Sequence, residues 1–313
     1  MNRPIPPRPG QTASSGSADL PLRCVSIDVE DYFHIEAARG SIRRVDWGRW
    51  PSRVEQNVDL LLSLFDRYKQ RGTFFVLGDV AGRHPRLARR VADAGHEVAS
   101  HGMNHDRLHR LDAGRFRQDA LASKRLLEDQ IGQPVLGYRA PTFSVVPQTA
   151  WAIDVLVDVG FVYDASIFPV RHPWYGVPGA PDRPFWVRGR PDGPSILEVP
   201  PLVWRLPWGA RKLAVAGGGY FRLLPLWLMQ RGLNQAAVQD RPAVLYFHPW
   251  EFDSDLPRMP LPWLGRLRTY TGLRGAQRRL SLVMAQPARW GPIAEVLDHL
   301  RVMADQLPVY CLY

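Results

Sequence analysis

From Pro21 onward the apolar positions follow two alternating rhythms. "LRCVSIDVE", "TFFVLG" and "HEVASH" are short β-branched or apolar runs and predict strands. Between the first two, "VEQNVDLLLSLFDRYKQRG" sets Val54, Val58, Leu61, Leu62 and Phe65 on one helical stripe that stops at Gly72. "HPRLARRVADAG" predicts a helix with Pro85 at a tolerated first-turn position and Gly95 beyond its end. "LDAGRFRQDALASKRLLEDQIG" offers Asp112 as an N-cap and turns Phe116, Leu127 and Ile131 toward a core. "VLGYRA", "PQTAWAIDVLVDVG" and "FVYDAS" continue the alternation. The later half adds strands at "SILEVPP", "AVLYFH" and "PVYCLY", and a helix at "WGPIAEVLDHLRVMADQL".

Strands alternating with helices specify a parallel sheet with right-handed crossovers. Roughly seven β/α repeats favour closure into a barrel. No G-x-G-x-x-G or P-loop argues for an open nucleotide-binding sheet. The length of 313 residues suits one such α/β domain. The start, "MNRPIPPRPGQTASSGSADL", is rich in Pro, Ser and Gly and reads as a disordered tail over 1–20. A barrel over 21–255 and a basic C-terminal extension over 256–313 that completes it are expected to follow. The first residues lack the apolar core of a signal peptide, and no apolar run approaches the ~18 residues of a spanning helix. Cys24 and Cys311 stand alone in strand-like contexts and are expected reduced, which fits a cytoplasmic location.

Charge changes the picture in one region. The chain carries a net +10, and Leu256 to Ile293 holds seven arginines and no acid. Such a stretch is either a solvated face or a surface for an anionic partner: a membrane, an acidic glycan or a nucleotide-linked sugar. No nucleic-acid-binding motif accompanies it, so no nucleic acid is expected as partner. The apolar residues Met259, Leu261, Trp263, Leu264, Leu267 and Leu273 within it would suit peripheral contact with an anionic inner membrane.

"GHEVASHGMNH" packs three histidines into eleven residues, with His101 and His105 spaced H-x-x-x-H. In α/β barrels the chemistry collects at the carboxyl ends of the strands. That rule selects Asp28, Glu30, Asp31, His101, Arg139, Asp164 and His248. A carboxylate with two histidines is a three-ligand set that leaves room for water and substrate. A second carboxylate can take the water's proton, a histidine can protonate a poor leaving group, and an arginine can hold the base ionised. Together these parts describe hydrolysis of an unactivated amide.

In chain order, "SIDVEDYF", "GTFFVLG", "GHEVASHGMNH", "YRAPTFS", "YDASIFP" and "LYFHPWE" resemble the motifs of NodB-type polysaccharide deacetylases, carbohydrate esterase family 4. The wording "DVEDYF", "RAPTFS" and "FHPWE", with the extra C-terminal part, is similar to the branch found in bacterial exopolysaccharide gene clusters beside the exosortase-linked (PEP-CTERM) system. The resemblance runs from Arg23 to Glu251 through its motifs, and less distinctly to Tyr313. It implies a distorted (β/α)7 barrel and a divalent metal, most often zinc. It also implies removal of acetyl from N-acetylhexosamine units, in a polysaccharide or a lipid-linked oligosaccharide. Asp28 is the implied base, His101 and His105 are ligands, and Arg139 braces Asp28. His248 is the implied general acid, with Asp164 in the motif that tunes it. Tyr246 would line the pocket for the acetyl methyl, and the amide near Thr142 or Phe143 would hold the oxyanion.

The first motif departs from the pattern of two adjacent aspartates, because Val29 follows Asp28. The carboxylate ligand is then Glu30, which alternation puts on the face of Asp28, or Asp31, if the strand has already ended. His34, close behind, is a candidate substrate contact. His96 is expected to cap or face solvent, His109 to lie outside the ligand set, and His84 and His172 to be structural. The tryptophans Trp174, Trp186, Trp204, Trp208, Trp250 and Trp263 are expected mostly to pack, with some free to stack on sugar rings. The same residues leave open hydrolysis of another C–N bond or of an O-acetyl ester. A non-catalytic glycan-binding barrel would be expected to lack one of Asp28, His101, His105 or His248, and none is missing.

Overall fold

The run Leu22–Val29 (β1) is buried at every position, as a strand covered on both faces requires. In this computed structural model the described residues are 22–172, 175–209 and 211–313. The expected tail 1–20, and Trp174, lie outside them. After β1 come α1 (Val54–Arg67), β2 (Thr73–Val76), α2 (Gly78–Arg83), α3 (Leu87–Asp93) and β3 (Glu97–Ser100). Next are α4 (Ala113–Ile131), β4 (Gly137–Tyr138), α5 (Ala152–Val159) and β5 (Tyr163–Asp164). The later half holds β6 (Phe185–Arg188), β7 (Ser195–Glu198), β8 (Val203–Arg205), β9 (Lys212–Ala214), α6 (Gly218–Leu223), α7 (Leu226–Val238) and β10 (Ala243–Phe247). It ends with α8 (Trp263–Tyr270), α9 (Leu273–Met284), β11 (Arg289–Trp290), α10 (Ile293–Leu300) and β12 (Val309–Cys311).

Local chemistry explains the helices. α1 buries Val54, Val58, Leu61, Leu64 and Phe65, while Leu62 is only half-buried and Leu64 occupies the stripe in its place. The Asp112 carboxylate accepts the Arg115 amide at the start of α4, and Gly132, at φ 68°, ends it in the left-handed conformation. Phe116, Leu127 and Ile131 are buried as the pattern predicts. Pro85 falls ahead of α3 rather than inside its first turn, since α3 begins at Leu87.

Seven strands run parallel in the order β10, β1, β2, β3, β4, β5, β7. β6 lies antiparallel to β7, and β12 pairs with β6 in parallel. Among the described residues no ladder joins β7 to β10. Instead the Leu202 amide, just past β7, donates to the Val244 carbonyl of β10 at 2.8 Å. The seven-stranded α/β barrel is therefore distorted, drawn together at that point by a loop. β11 extends the sheet beside β1, so residues beyond 256 belong to the same sheet as the N-terminal strand. Trp47, Trp250, Met259, Leu261 and Leu273 pack with Tyr32 and Phe33 in a cluster next to the end of β1. Cys24 is buried, Cys311 is half-buried, and both are free. None of the described helices is long and apolar enough to cross a membrane.

A candidate metal and acid–base site at the strand ends

Glu30 follows β1, His101 follows β3, and His105 sits in the next loop in a left-handed conformation, φ 54°. The three offer ligand atoms that all lie within 4.8 Å of one another, and all three residues are buried. His105 Nε2 is 2.6 Å from Glu30 Oε2, yet this oxygen makes no aligned hydrogen bond. Two lone-pair donors converging without hydrogen-bond geometry is what a shared cation would ask of them. His101 Nδ1–H donates to the Arg139 carbonyl at 2.9 Å, which leaves Nε2 with its lone pair free. Burial lowers the His101 pKa to about 4, more than nearby Asp28 and Glu30 raise it, so the ring is neutral as a ligand must be. Burial would raise the Glu30 carboxyl, but His105, His248 and His101 outweigh it and hold Glu30 well below the usual range. This donor set fits a divalent cation such as zinc. Asp31, the other acid left open by the sequence, turns away: it accepts Ser52 Oγ–H at 2.5 Å and the Arg53 amide at 3.0 Å.

Asp28 stands beside the triad. Arg139, completely buried, donates from Nη1 to Asp28 Oδ1 at 2.7 Å and to Ser26 Oγ at 2.8 Å. Its Nε donates to the Ala165 carbonyl at 3.1 Å, and its guanidinium lies 4.1 Å from the Phe75 ring centroid. Across the cavity, His248 Nε2 is 3.9 Å from Asp28 Oδ2 and 3.8 Å from Glu30 Oε1.

Two expected residues are placed differently. Asp164 accepts Ser166 Oγ–H and pairs with the equally buried Glu198, whose carboxyl accepts the Ile167 amide at 2.9 Å. Burial raises Asp164 to about 6 against its hydrogen bonds to Ser166 and Glu198, and raises Glu198 well above its ordinary range, so the pair holds a proton. The carboxylate on His248 is instead Glu251, with Oε1 2.6 Å from His248 Nδ1. Burial alone would lower the His248 pKa, but the Glu251 hydrogen bond and the charges of Glu30, Glu251 and Asp28 raise it to about 9. His34, expected to touch substrate, is buried behind His105, with its Nδ1 accepting the Asp31 amide at 2.9 Å. It lines a separate cavity of about 240 Å³ together with Arg39, Arg43 and Arg44. Glu251 escaped the sequence reading, although His-Pro-Trp-Glu puts an acid three residues after His248 on a proline-headed turn.

A cavity of about 490 Å³ opens over Asp28, Glu30, His101, His105 and His248. Tyr246, buried on β10, meets Phe143 edge-on at 4.8 Å and forms one apolar wall. Thr142 and Phe143 both adopt left-handed backbone, φ 57° and 49°, an uncommon conformation that costs about 1 kcal/mol or more each. The Phe143 amide donates to the Ala140 carbonyl at 3.1 Å, so Thr142 is the one of the two to test as an oxyanion donor. His172, expected to be structural, stacks on Tyr175 at 3.8 Å and lines the cavity. His96 is buried, His84 bonds Glu55, and His109 is exposed, all outside the cavity. Trp250 lines the cavity and its indole N–H donates to Glu30 Oε1 at 3.2 Å.

Residues 45–162 match the family described as polysaccharide deacetylase, and residues 165–298 match a domain of unknown function, DUF3473. Over 36% of its length the chain is 31% identical to a peptidoglycan deacetylase of Helicobacter pylori, covering 38% of that protein. It is 30% identical over 31% of its length to a chitooligosaccharide deacetylase of Bradyrhizobium sp., covering 42% of it. The chain thus spans well under half of these curated relatives. Across whole chains, it shares its fold with a crystal structure assigned as a polysaccharide deacetylase from Mycobacterium smegmatis. That likeness has a TM-score of 0.63, 24% identity and 98% coverage of both chains. A PuuE allantoinase has the same fold, with TM-score 0.58, 18% identity and coverage of 95% and 94%.

Proposed function

We propose, for a chain that carries a polysaccharide deacetylase domain of the NodB type with the DUF3473 region behind it, that this site removes acetyl groups from N-acetylated sugars. One observation carries the reading: a two-histidine, one-carboxylate cluster, a braced second carboxylate and a charged histidine all face one cavity. A divalent cation held by Glu30, His101 and His105, zinc being the family's usual choice, would polarise the acetyl carbonyl and make a bound water more acidic. Asp28, braced and aimed by Arg139, takes the proton from the attacking water. The water oxygen bonds to the acetyl carbon, the C–N bond breaks, and His248 Nε2 gives its proton to the departing nitrogen. Acetate and a free amine leave. Phe143 and Tyr246 offer the methyl an apolar surface, and the Thr142 amide is the candidate donor to the oxyanion.

The motif wording supports a place in exopolysaccharide biosynthesis, on a polysaccharide or lipid-linked oligosaccharide. Exposed Trp263, Leu264 and Leu267 beside Arg266 and Arg268 support peripheral docking at the cytoplasmic face of an anionic membrane. Acetate release from a panel of N-acetylated oligosaccharides, with and without chelator, tests the activity. Wild type should release acetate and lose that activity to chelator. Asp28→Asn should lose turnover by ~10²-fold or more while keeping its metal, and Glu30→Gln should lose the metal. Chelator-resistant release, or full metal content in Glu30→Gln, would overturn the site assignment.

A further inference from the structure

Outside the base and ligand cluster, an extended buried polar assembly sits behind His248. Glu251 is completely buried and Arg222 nearly so, at 6% exposure. Glu251 Oε1 receives both the His248 side chain, at 2.6 Å from Nδ1, and the His248 amide at 3.1 Å. Its other oxygen accepts Arg222 Nε–H at 2.7 Å. The remaining Arg222 donors reach the main-chain carbonyls of Arg268 at 2.9 Å, Thr269 at 3.2 Å and Thr271 at 2.5 Å. The Arg222 guanidinium lies 5.3 Å from the Trp250 ring centroid, and Trp250 stacks on His248 at 5.4 Å.

Burying a charge pair costs desolvation, and a well-packed apolar pair would hold the same elements together at least as well. Stability alone is therefore a weak account of the assembly, and its geometry at His248 supplies a second one. A carboxylate at Nδ1 fixes one proton there and leaves Nε2 as the nitrogen that faces Asp28 and Glu30. A guanidinium fork on the far side of that carboxylate, itself tied to three carbonyls, fixes where the carboxylate points.

We infer that Glu251 and Arg222 are positioning residues for His248, and that the region matched as DUF3473 serves the reaction by building this acid assembly. The inference rests on His248 acting as the acid in amide hydrolysis. Asp164, the residue that the motif pattern assigns to this task, is engaged with Ser166 and Glu198 instead. Base, brace and ligands come from residues 28–139, while acid, orienter and lock come from 222–251. The proton that Glu251 aims travels from Nε2 to the amine nitrogen as the C–N bond breaks, and no other reactant is needed.

The test uses the zinc-loaded full chain and two substrates. An N-acetylglucosamine oligomer needs a proton on its leaving amine, whereas an aryl acetate ester departs as a stable phenolate and does not. Glu251→Gln, close to isosteric, should lower kcat on the amide by ~10²-fold with KM changed little, while ester hydrolysis falls only a few-fold. Arg222→Lys keeps a charge but not the fork, and should give a smaller loss with the same selectivity. It also serves as the second variant should Glu251→Gln not fold. Amide and ester rates that fall together in folded protein would make the pair merely structural and overturn the inference. An unchanged amide rate in either variant, with wild type active, would overturn it alone. A wild type that releases acetate from no amide overturns the deacetylase reading, and this inference with it.

Discussion

His96 and His101 stand five residues apart, and burial lowers both to about 4, yet they do different work. His101 spends Nδ1–H on a carbonyl and turns a bare Nε2 into the cavity. His96 uses its Nδ1 lone pair to accept the Gly72 amide at 3.1 Å, with its ring against Phe65 and Phe74 at 4.9 and 5.0 Å. A shifted histidine is therefore a site only when its free nitrogen faces other donors. The shift on His96 has its own consequence. Unfolded, the ring titrates near 6.5; folded, it holds out until about 4, so between those values the unfolded chain binds more protons. Its contribution to stability is complete above pH 6.5 and drains away as pH falls toward 4, by up to ~3 kcal/mol. His96→Asn removes the titrating group while keeping an acceptor for Gly72. Urea midpoints at a series of pH values should fall less steeply from pH 7 to 4.5 in that variant than in wild type. Equal slopes would reject the assignment. The placement of His96 was not legible in its sequence neighbourhood, because the amide it accepts lies 24 residues earlier, just ahead of the neighbouring strand β2.

At the scale of elements, the first half was legible because strands and helices there alternate in clean periods, from β1 through β5. The second half was legible only in part: β7, β10, α10 and β12 fall where the sequence placed them, and the rest does not announce itself. β6 runs antiparallel to β7, β8 and β9 form a separate hairpin, and α6 to α9 fill the region where Gly, Pro and Trp interrupt any apolar period. The site followed the same division. Asp28, His101 and Arg139 end regular strands or directly follow them, while Arg222 reaches Glu251 across 29 residues with no spacing to announce it. Glycine explains part of this irregular stretch. At Gly217 an added Cβ would lie 1.6 Å from the Tyr246 carbonyl oxygen, so the chain before α6 can run against β10 only without a side chain. The same contact is a parallel bridge between Gly217 and Tyr246, a residue of the cavity wall. Gly217→Ala must therefore push α6 away from β10, or displace Tyr246. Gly219, where a Cβ meets nothing within 4 Å, is the control. Gly217→Ala should lose several degrees in Tm and raise KM for the acetylated sugar, while Gly219→Ala should leave Tm within a degree or so. Matching Tm and KM in the two variants would mean that the bridge has no role in shaping the wall.

At the scale of the whole molecule, both matched regions contribute strands to one sheet, and β1, which precedes them, joins it to β10. β1 pairs with β10 over five residues from Arg23 to Ile27, and the cavity takes the proposed base, Asp28, from β1 and the proposed acid, His248, from just past β10. The charge is less evenly shared than the chemistry. The arginine-rich stretch that the sequence singled out divides in two: Met259, Leu261 and Leu273 are buried against residues near the end of β1, but Trp263, Leu264 and Leu267 are 72%, 47% and 54% exposed. Arg266 and Arg268 are exposed on the same helix, and Arg268 and exposed Leu223 lie at the rim of the cavity. A surface that docks α8 on lipid would therefore also bring the cavity mouth to that lipid. Each arginine held near an anionic leaflet contributes about 1 kcal/mol, and the exposed tryptophan and leucines add apolar burial. Screening shortens the reach of those charges from about 10 Å at 0.1 M salt to about 3 Å at 1 M. The protein should sediment with vesicles containing anionic lipid at low salt and release at high salt, and it should ignore neutral vesicles. Trp263→Ala with Leu267→Ala should weaken that binding without changing acetate release from a soluble oligosaccharide. Equal sedimentation with neutral and anionic vesicles at low salt would leave α8 a solvated face, and the activity independent of any membrane.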